Sequence, residues 1–360
     1  MPWNGGESRE GASFHRMRTG VRTACPCQYG RYMTFRQADS VDSATVPARA
    51  AGVVDAGAFP PLGELPLTRG TVDRGCERRA DEEWLPGLLE DPRTRVLRLV
   101  GGKAPVGEGA LLLGGPEAAA EAELVVYLGR VSGEEVVLAV LPEIPERAGG
   151  GTEWQGLRDV AAGLAAHEGA LFVEALAIAN WHANHRHCPR CGAATGVVQS
   201  GWVRKCPQDG SLHFPRTDPA IIVAITDELD RLLLGANAQW GGQRFSTLAG
   251  FVEPGETLEA AVVREVAEEA GVSVHSPRYV GSQPWPFPAS LMCGFTAKSA
   301  STATVPDGEE IVALRWFTRE ELAREVEEGA ITVPSGVSIA SALVEQWYGA
   351  PLPEPRRLEN

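Results

Sequence analysis

The chain has 360 residues, of which 44% are apolar and 22% charged, enough for two domains with separate cores. Its 33 basic and 47 acidic side chains leave a formal charge of −14. That excludes a general attraction to nucleic acid, so a phosphate ligand would depend on local cations or a metal. No run of about 18 apolar residues suggests a membrane span, and the start lacks the apolar core of a secretory signal. A cytoplasmic location is expected.

Residues 1–58 show no sustained periodicity. Seven arginines (Arg9, Arg16, Arg18, Arg22, Arg31, Arg36 and Arg49) lie among Gly, Ser, Thr and Ala, which reads as a disordered extension. Met17 and Met33 are alternative starts, and Cys25 and Cys27 stand too close for a zinc half-site. Residues 59–184 read as an N-terminal α/β domain. Strands are expected at Arg95–Val100 and Ala110–Leu113, with Gly101-Gly102-Lys103 opening the loop between them. Segments Glu123–Arg130 and Glu135–Leu141 flank a hairpin turn, and helical runs follow at Leu157–Ala166 and Ala170–Asn184. No catalytic constellation stands out there. Arg93 and Arg95 have the chemistry to reach a phosphate but read as surface.

Between 185 and 217 the composition turns to Cys, Gly, Pro and His. Three of the seven cysteines cluster as Cys188-x2-Cys191 and Cys206, a pattern that suggests metal rather than disulfides. A second knuckle would end at 209, where an aspartate stands. A closed structural zinc site is expected, with Cys188, Cys191 and Cys206 as ligands. The fourth ligand is open between Asp209 and His213, with His185 or His187 behind them.

Residues 218–350 form the C-terminal domain. Ala220–Ile225 is a buried-strand run paired with Arg231–Gly235, and Phe245–Ala249 leads into a glycine-bearing loop. Further strands are expected near Tyr279–Gln283, Leu291–Ala297 and Val312–Phe317, with a polar loop over 298–308. Helices Glu320–Glu327 and Val337–Trp347 follow, and 351–360 reads as a loose tail.

The stretch Gly250–Val272 organises this domain. A loop through Gly255 and Glu256 precedes a helix-like run ending at Gly271. Glu265, Glu268 and Glu269 share one helix surface, while Val262, Val263, Val266 and Ala270 form a core side. Like charges so spaced repel, and a hard divalent cation, Mg²⁺ or Mn²⁺, would remove the penalty. A second motif runs Ser282-Gln283-Pro284-Trp285-Pro286-Phe287-Pro288-Ala289-Ser290. Its prolines exclude a helix and allow only a strand edge. Trp285 and Phe287 alternate with them as flat surfaces suited to stacking on a base or nicotinamide ring, and Gln283 and Ser290 add hydrogen-bonding groups at the ends.

Gly250, Glu256, Arg264, Glu265, Val266, Glu268, Glu269, Gly271 and Val272 fill every fixed place of the Nudix box, G-x5-E-x7-R-E-U-x-E-E-x-G-U. With SQPWPFPxS downstream and a cysteine ribbon upstream, residues from about Leu65 to Trp347 resemble the NADH pyrophosphatase branch of the Nudix hydrolases. The resemblance implies an α/β protein: an N-terminal α/β domain, a short zinc-ribbon insert and a C-terminal Nudix α/β/α sandwich. It implies an enzyme, an NAD⁺ diphosphatase that cleaves NADH or NAD⁺ to (reduced) nicotinamide mononucleotide and AMP. Removal of NAD caps from RNA, action as a homodimer with Mg²⁺ or Mn²⁺, and one structural zinc are implied as well.

By position it further implies metal ligands at the Ala249 carbonyl, Glu265, Glu269 and Glu310, with Glu309 as a neighbouring substitute for Glu310. Phe214 would stack on the substrate base, Gln283 to Ser290 would form the dinucleotide contact strip, and Ala340 would line the base pocket. Arg264 is expected to hold the loop by pairing with a box glutamate such as Glu256. Glu268 or Glu269 would stand nearest the nucleophilic water. The rival readings are a Nudix hydrolase of another substrate, such as ADP-ribose, and a non-catalytic regulator that binds RNA ends.

Overall fold

The computed structural model describes residues 62–354, except 64, 66, 69, 71, 146–151, 241 and 242. The extension expected over 1–58, with Cys25, Cys27 and its arginines, lies outside the described residues, as do 355–360 of the tail.

The N-terminal part begins with helix α1 (Trp84–Glu90) and continues with strands β1 (Arg95–Leu99), β2 (Lys103–Gly107), β3 (Ala110–Leu111), β4 (Leu124–Val131), β5 (Glu134–Val140) and β6 (Glu153–Gly156). Helices α2 (Leu157–Val160) and α3 (Ala166–Asn184) close it. β1 pairs parallel with β5, which pairs antiparallel with β4, and β2 lies between β3 and β6. The hairpin between β4 and β5 falls where the sequence predicts it. The expected loop after Gly101 is instead a tight reversal, in which Val100 and Lys103 exchange backbone hydrogen bonds of 2.9 and 3.0 Å, so β2 starts at once. The first helical run stops at Val160, and α3 begins at Ala166 rather than Ala170. Glu168 sets that start, its carboxylate accepting from the Ala165 amide at 3.1 Å and the Leu111 amide at 2.9 Å. α3 is buried on most sides, with Leu171, Phe172, Ala175, Leu176 and Ile178 in the core, so it lacks a simple amphipathic stripe.

Short strands β7 (Gly196–Val198), β8 (Val203–Lys205) and β9 (Leu212–His213) build the ribbon. It is fastened to α3 through Arg204, which donates to the His182 ring at 2.9 Å, while the other His182 nitrogen bonds the Gly201 carbonyl at 2.7 Å.

The C-terminal part is a seven-stranded mixed sheet. Its strands are β10 (Asp218–Thr226), β11 (Leu232–Asn237), β12 (Phe245–Ser246), β13 (Leu248–Phe251), β14 (Val274–Trp285), β15 (Ser290–Ser299) and β16 (Ile311–Phe317), with helices α4 (Leu258–Ala270), α5 (Arg319–Glu327) and α6 (Ile339–Tyr348). β10 is central and apolar on both faces. Alternation sends Ile221, Val223 and Ile225 to one core with Val262, Val266 and Ala270 of α4. Ile222 and Ala224 go to the other core, with Leu322 of α5 and Leu343, Val344 and Trp347 of α6. This is the α/β/α sandwich expected from the sequence. Val263, expected on the core side of α4, is 42% exposed, because it lies about 100° round the helix from Val262.

The two parts interleave. Leu62 and Leu65, expected within the N-terminal domain, pack into the C-terminal core, and the Leu62 amide donates to the Val280 carbonyl at 2.6 Å. Conversely, Trp285, Phe287 and Val337 pack against the N-terminal core.

Candidate active site

The box is a strand, a loop and a helix. Thr257 caps α4 by accepting from the Ala260 amide at 3.2 Å, and Gly271 ends it in the left-handed region at φ 65°. Gly250 shows why the box needs a glycine there. A Cβ on it would stand 2.0 Å from Cδ of Glu265, so the Glu265 carboxylate occupies the space that a side chain would take.

Arg264 organises the loop as expected. Its guanidinium donates twice to Glu256, at 2.9 Å each, and also at 2.9 Å to Glu268 and the Phe251 carbonyl. A fifth contact, 2.9 Å to Glu265, brings the cation to the cluster. The paired guanidinium holds Glu256 below the usual carboxylate range. Glu268 is held on the exposed side. Glu269 turns inward and is 5% exposed, and its Oε2 has no hydrogen-bond partner. Burial, then the charges of Glu265, Glu310 and Asp307, push its carboxyl up to about 8, against the pull of the Ala249 amide. Glu265 is raised too, chiefly by burial, with Arg264 opposing.

The Glu310 carboxylate acts electrostatically on both Glu265 and Glu269, raising each. Asp307, which sequence reasoning missed, builds this loop. Its Oδ1 accepts from the amides of Glu309, Glu310 and Ile311 at 3.0, 3.1 and 2.9 Å. The D-G-E-E turn was the available signal. A buried orphan oxygen among repelling carboxylates is a set of hard oxygen donors without enough positive charge. They fit a divalent cation of the Mg²⁺ or Mn²⁺ type.

The aromatic-proline strip lies at the same end of the sheet. Gly250 is aligned with Ile221, Ile221 with Cys293 and Cys293 with Ser282. The start of the box loop and the start of the strip therefore share one row, three strand spacings or roughly 14 Å apart. β14 is an edge strand, which accommodates Pro284.

Gln283 departs from expectation. It is fully buried, with its Nε2 donating to the Val337 carbonyl at 2.7 Å and its Oε1 accepting from the Ile339 amide at 2.8 Å. Both ends of the amide are thus occupied inside the protein, and the residue pins the start of α6 to the strip. Ala340 follows directly and is 7% exposed. Trp285 and Phe287 meet edge to face at 5.0 Å. They are half-buried rather than freely presented, because Arg158 of α2 lies over Trp285 at 5.1 Å and over Phe287 at 4.0 Å. Arg158 is exposed and sets a cation beside the strip. Nothing local in the sequence marks it. Pro286 is buried, Pro288 exposed, and Ala289 and Ser290 half-buried where β15 begins. Phe214 is 49% exposed at the ribbon-to-sheet junction, just upstream of Asp218, whose amide donates to the Ala289 carbonyl at 2.8 Å.

In the ribbon, ligand atoms of Cys188, Cys191, Cys206 and Asp209 all lie within 4.8 Å of one another. Ser211 fixes the aspartate, donating to Oδ1 from its amide at 2.9 Å and from its hydroxyl at 2.6 Å. Oδ2 is left facing the Cys188 sulfur at 3.6 Å. Burial disfavours the Cys188 thiolate, but the amides of Arg190 and Cys191 and the Ser211 hydroxyl outweigh it and bring the thiol down to about 6. His213 stands behind, 3.1 Å from the Ser211 hydroxyl, and His185 bonds the Trp181 carbonyl. Three thiols and one oriented carboxylate fit a tetrahedral zinc.

A glycine-cradled glutamate on a helix after a looped strand, with a second carboxylate buried four residues on, defines a Nudix hydrolase site. Family models agree: a NUDIX domain matches residues 216–334, an NADH pyrophosphatase zinc ribbon domain 183–214, and an NADH pyrophosphatase-like rudimentary NUDIX domain 87–181. The NAD-capped RNA hydrolase NudC of Mycobacterium bovis is 38% identical over 307 residues, covering 78% of this chain and 94% of that protein. NudC of Stutzerimonas stutzeri is 40% identical over 230 residues, covering 63% and 79%. A NUDIX hydrolase structure from Nitrosomonas europaea overlays with a TM-score of 0.37 at 22% identity, covering 46% of this chain and 95% of that one. The chain belongs to the NudC family, the NADH pyrophosphatase branch of the Nudix hydrolases.

Gly250→Ala should cut turnover about 100-fold or more by displacing Glu265, with an unchanged far-UV spectrum. Near-normal turnover would show that the cradle does not position the carboxylate. Elemental analysis should find about one zinc per chain, mostly lost in Asp209→Ala and kept in His213→Ala. The reverse pattern would make His213 the ligand.

Proposed function

We propose that this chain hydrolyses the pyrophosphate of NADH and NAD⁺ to (reduced) nicotinamide mononucleotide and AMP, and removes NAD caps from RNA 5′ ends. The observation that carries the reading is the shared row of box and strip. It supports a pyrophosphate held at the box carboxylates with its planar end at the aromatic strip, about 14 Å away.

Glu265, Glu269 and Glu310, with the Ala249 carbonyl, would hold Mg²⁺ or Mn²⁺. Such an ion, when bound, neutralises the pyrophosphate and lowers the pKa of an attacking water. The residues of the chain do the rest. Arg264 fixes the loop so that Glu265 keeps its place over Gly250. Of the two candidate bases, Glu268 is engaged by Arg264, which leaves Glu269, buried beside Glu265, as the carboxylate free to face the attacking water. Trp285 and Phe287 orient the planar end of the ligand, and Arg158 braces their rings. In the ribbon, Cys188, Cys191, Cys206 and Asp209 would hold zinc in a closed, structural site. The same reading includes a homodimer and a cytoplasmic location; no helix among the described residues is long and apolar enough to cross a membrane.

An ADP-ribose hydrolase would not need the strip, and a non-catalytic RNA-end binder would not need every box carboxylate in place. The deciding experiment compares NADH and ADP-ribose hydrolysis in Mn²⁺ by wild type and Trp285→Ala. KM for NADH should rise about tenfold, with ADP-ribose little changed. Unchanged NADH kinetics would favour the ADP-ribose reading.

A further inference from the structure

The end of the strip, the turn Pro286–Ala289 that joins β14 to β15, has little means of holding its own shape. Pro286 and Pro288 have no N–H to give, and the Phe287 amide closes a narrow turn onto the Trp285 carbonyl at 2.7 Å. The carbonyls of Pro286 and Pro288 need donors from elsewhere. Both find the same one. Asn180, in the last turns of α3, donates from Nδ2 to Pro286 O at 2.9 Å and to Pro288 O at 3.1 Å. An amide nitrogen carries two hydrogens, so one side chain satisfies both carbonyls and spans the outer face of the Phe287 turn. The partners lie 106 and 108 residues apart in sequence, in different domains.

We infer that Asn180 is a positioning residue for substrate binding, and that the rudimentary N-terminal domain serves the reaction by carrying it. This rests on the reading of the strip as the dinucleotide contact. Three supports then converge on the strip: Asn180 from α3, Arg158 from α2 against the rings, and Gln283 tying its base to the start of α6. Asn180 Nδ2 donates to backbone carbonyls of the turn that carries Phe287, so its effect falls on where Trp285 and Phe287 lie. It belongs to binding of the planar end of the ligand and not to the metal-assisted step.

The test measures kcat and KM for NADH and ADP-ribose in Mn²⁺ with the full chain. Asn180→Ala removes both donors, Asn180→Asp keeps the shape without them, and Asn180→Gln keeps them. Alanine and aspartate should each raise KM for NADH about tenfold, with kcat and the ADP-ribose constants within about twofold, and glutamine should recover most of the loss. Combined with Trp285→Ala, Asn180→Ala should add little, because both act through one strip. If Trp285→Ala raises KM for NADH and neither alanine nor aspartate at 180 does, the inference fails alone. If Trp285→Ala itself has no effect, the reading of the strip has failed first. An equal loss of kcat on both substrates, or full additivity with Trp285→Ala, would make Asn180 merely structural and overturn the proposal.

Discussion

The Glu265 carboxylate lies where any side chain on residue 250 would have to be, and the rest of the active site depends on that one steric fact. Glycine lets helix α4 press its acidic face against the strand it follows. Burial then crowds Glu265 and Glu269 into a region where Glu310 and Asp307 add further negative charge. Arg264 offsets part of it, and its contacts to Glu256, Glu265, Glu268 and the Phe251 carbonyl make it the brace of the loop. It does not reach Oε2 of Glu269, which stays without a partner. A buried carboxylate kept in that state costs stability. A cation that offsets the cost is the simplest reason for so unfavourable an arrangement.

The second constraint is the sheet. The register carries the box row across β10 and β15 to β14, so the carboxylate-bearing box loop and the aromatic-proline strip open at one end. The strip cannot be supported from its own domain alone. Its rings pack into the N-terminal core, while Leu62 and Leu65 pack the opposite way into the C-terminal core. Two exchanged attachments hold the domains in one arrangement, and the ribbon is fastened to α3 through Arg204 and His182. The geometry of the strip thus depends on both domains rather than on the Nudix domain alone.

Much of this was legible in the sequence where local rules govern. The unbroken apolar run of β10, the hairpin before Glu135 and the spacing of the box each follow from short-range patterns, as does the pairing of Arg264 with Glu256. Features decided by distant contacts were not. Lys103–Gly107 contains a proline and a glycine and shows no strand alternation, yet it is paired on both sides. Gln283 looked like a ligand contact because it is polar beside an aromatic motif, but its direction was set by the backbone near Ile339. Arg158 and Asn180 are ordinary helix residues until folding brings the strip beneath them. Asp209 shows the opposite case: the knuckle spacing offered it alongside His213, and folding brings its carboxylate, oriented by Ser211, to the three cysteines.

The central claim is that the carboxylates around Gly250 are held for a divalent cation. Electron paramagnetic resonance of free Mn²⁺ tests it without reference to any substrate. Titrating wild type into Mn²⁺ should extinguish the free-ion signal with saturable stoichiometry, and the Glu265→Gln/Glu269→Gln double variant, folded and zinc-replete, should leave most of that signal in place. Equal Mn²⁺ binding by both proteins would contradict the account.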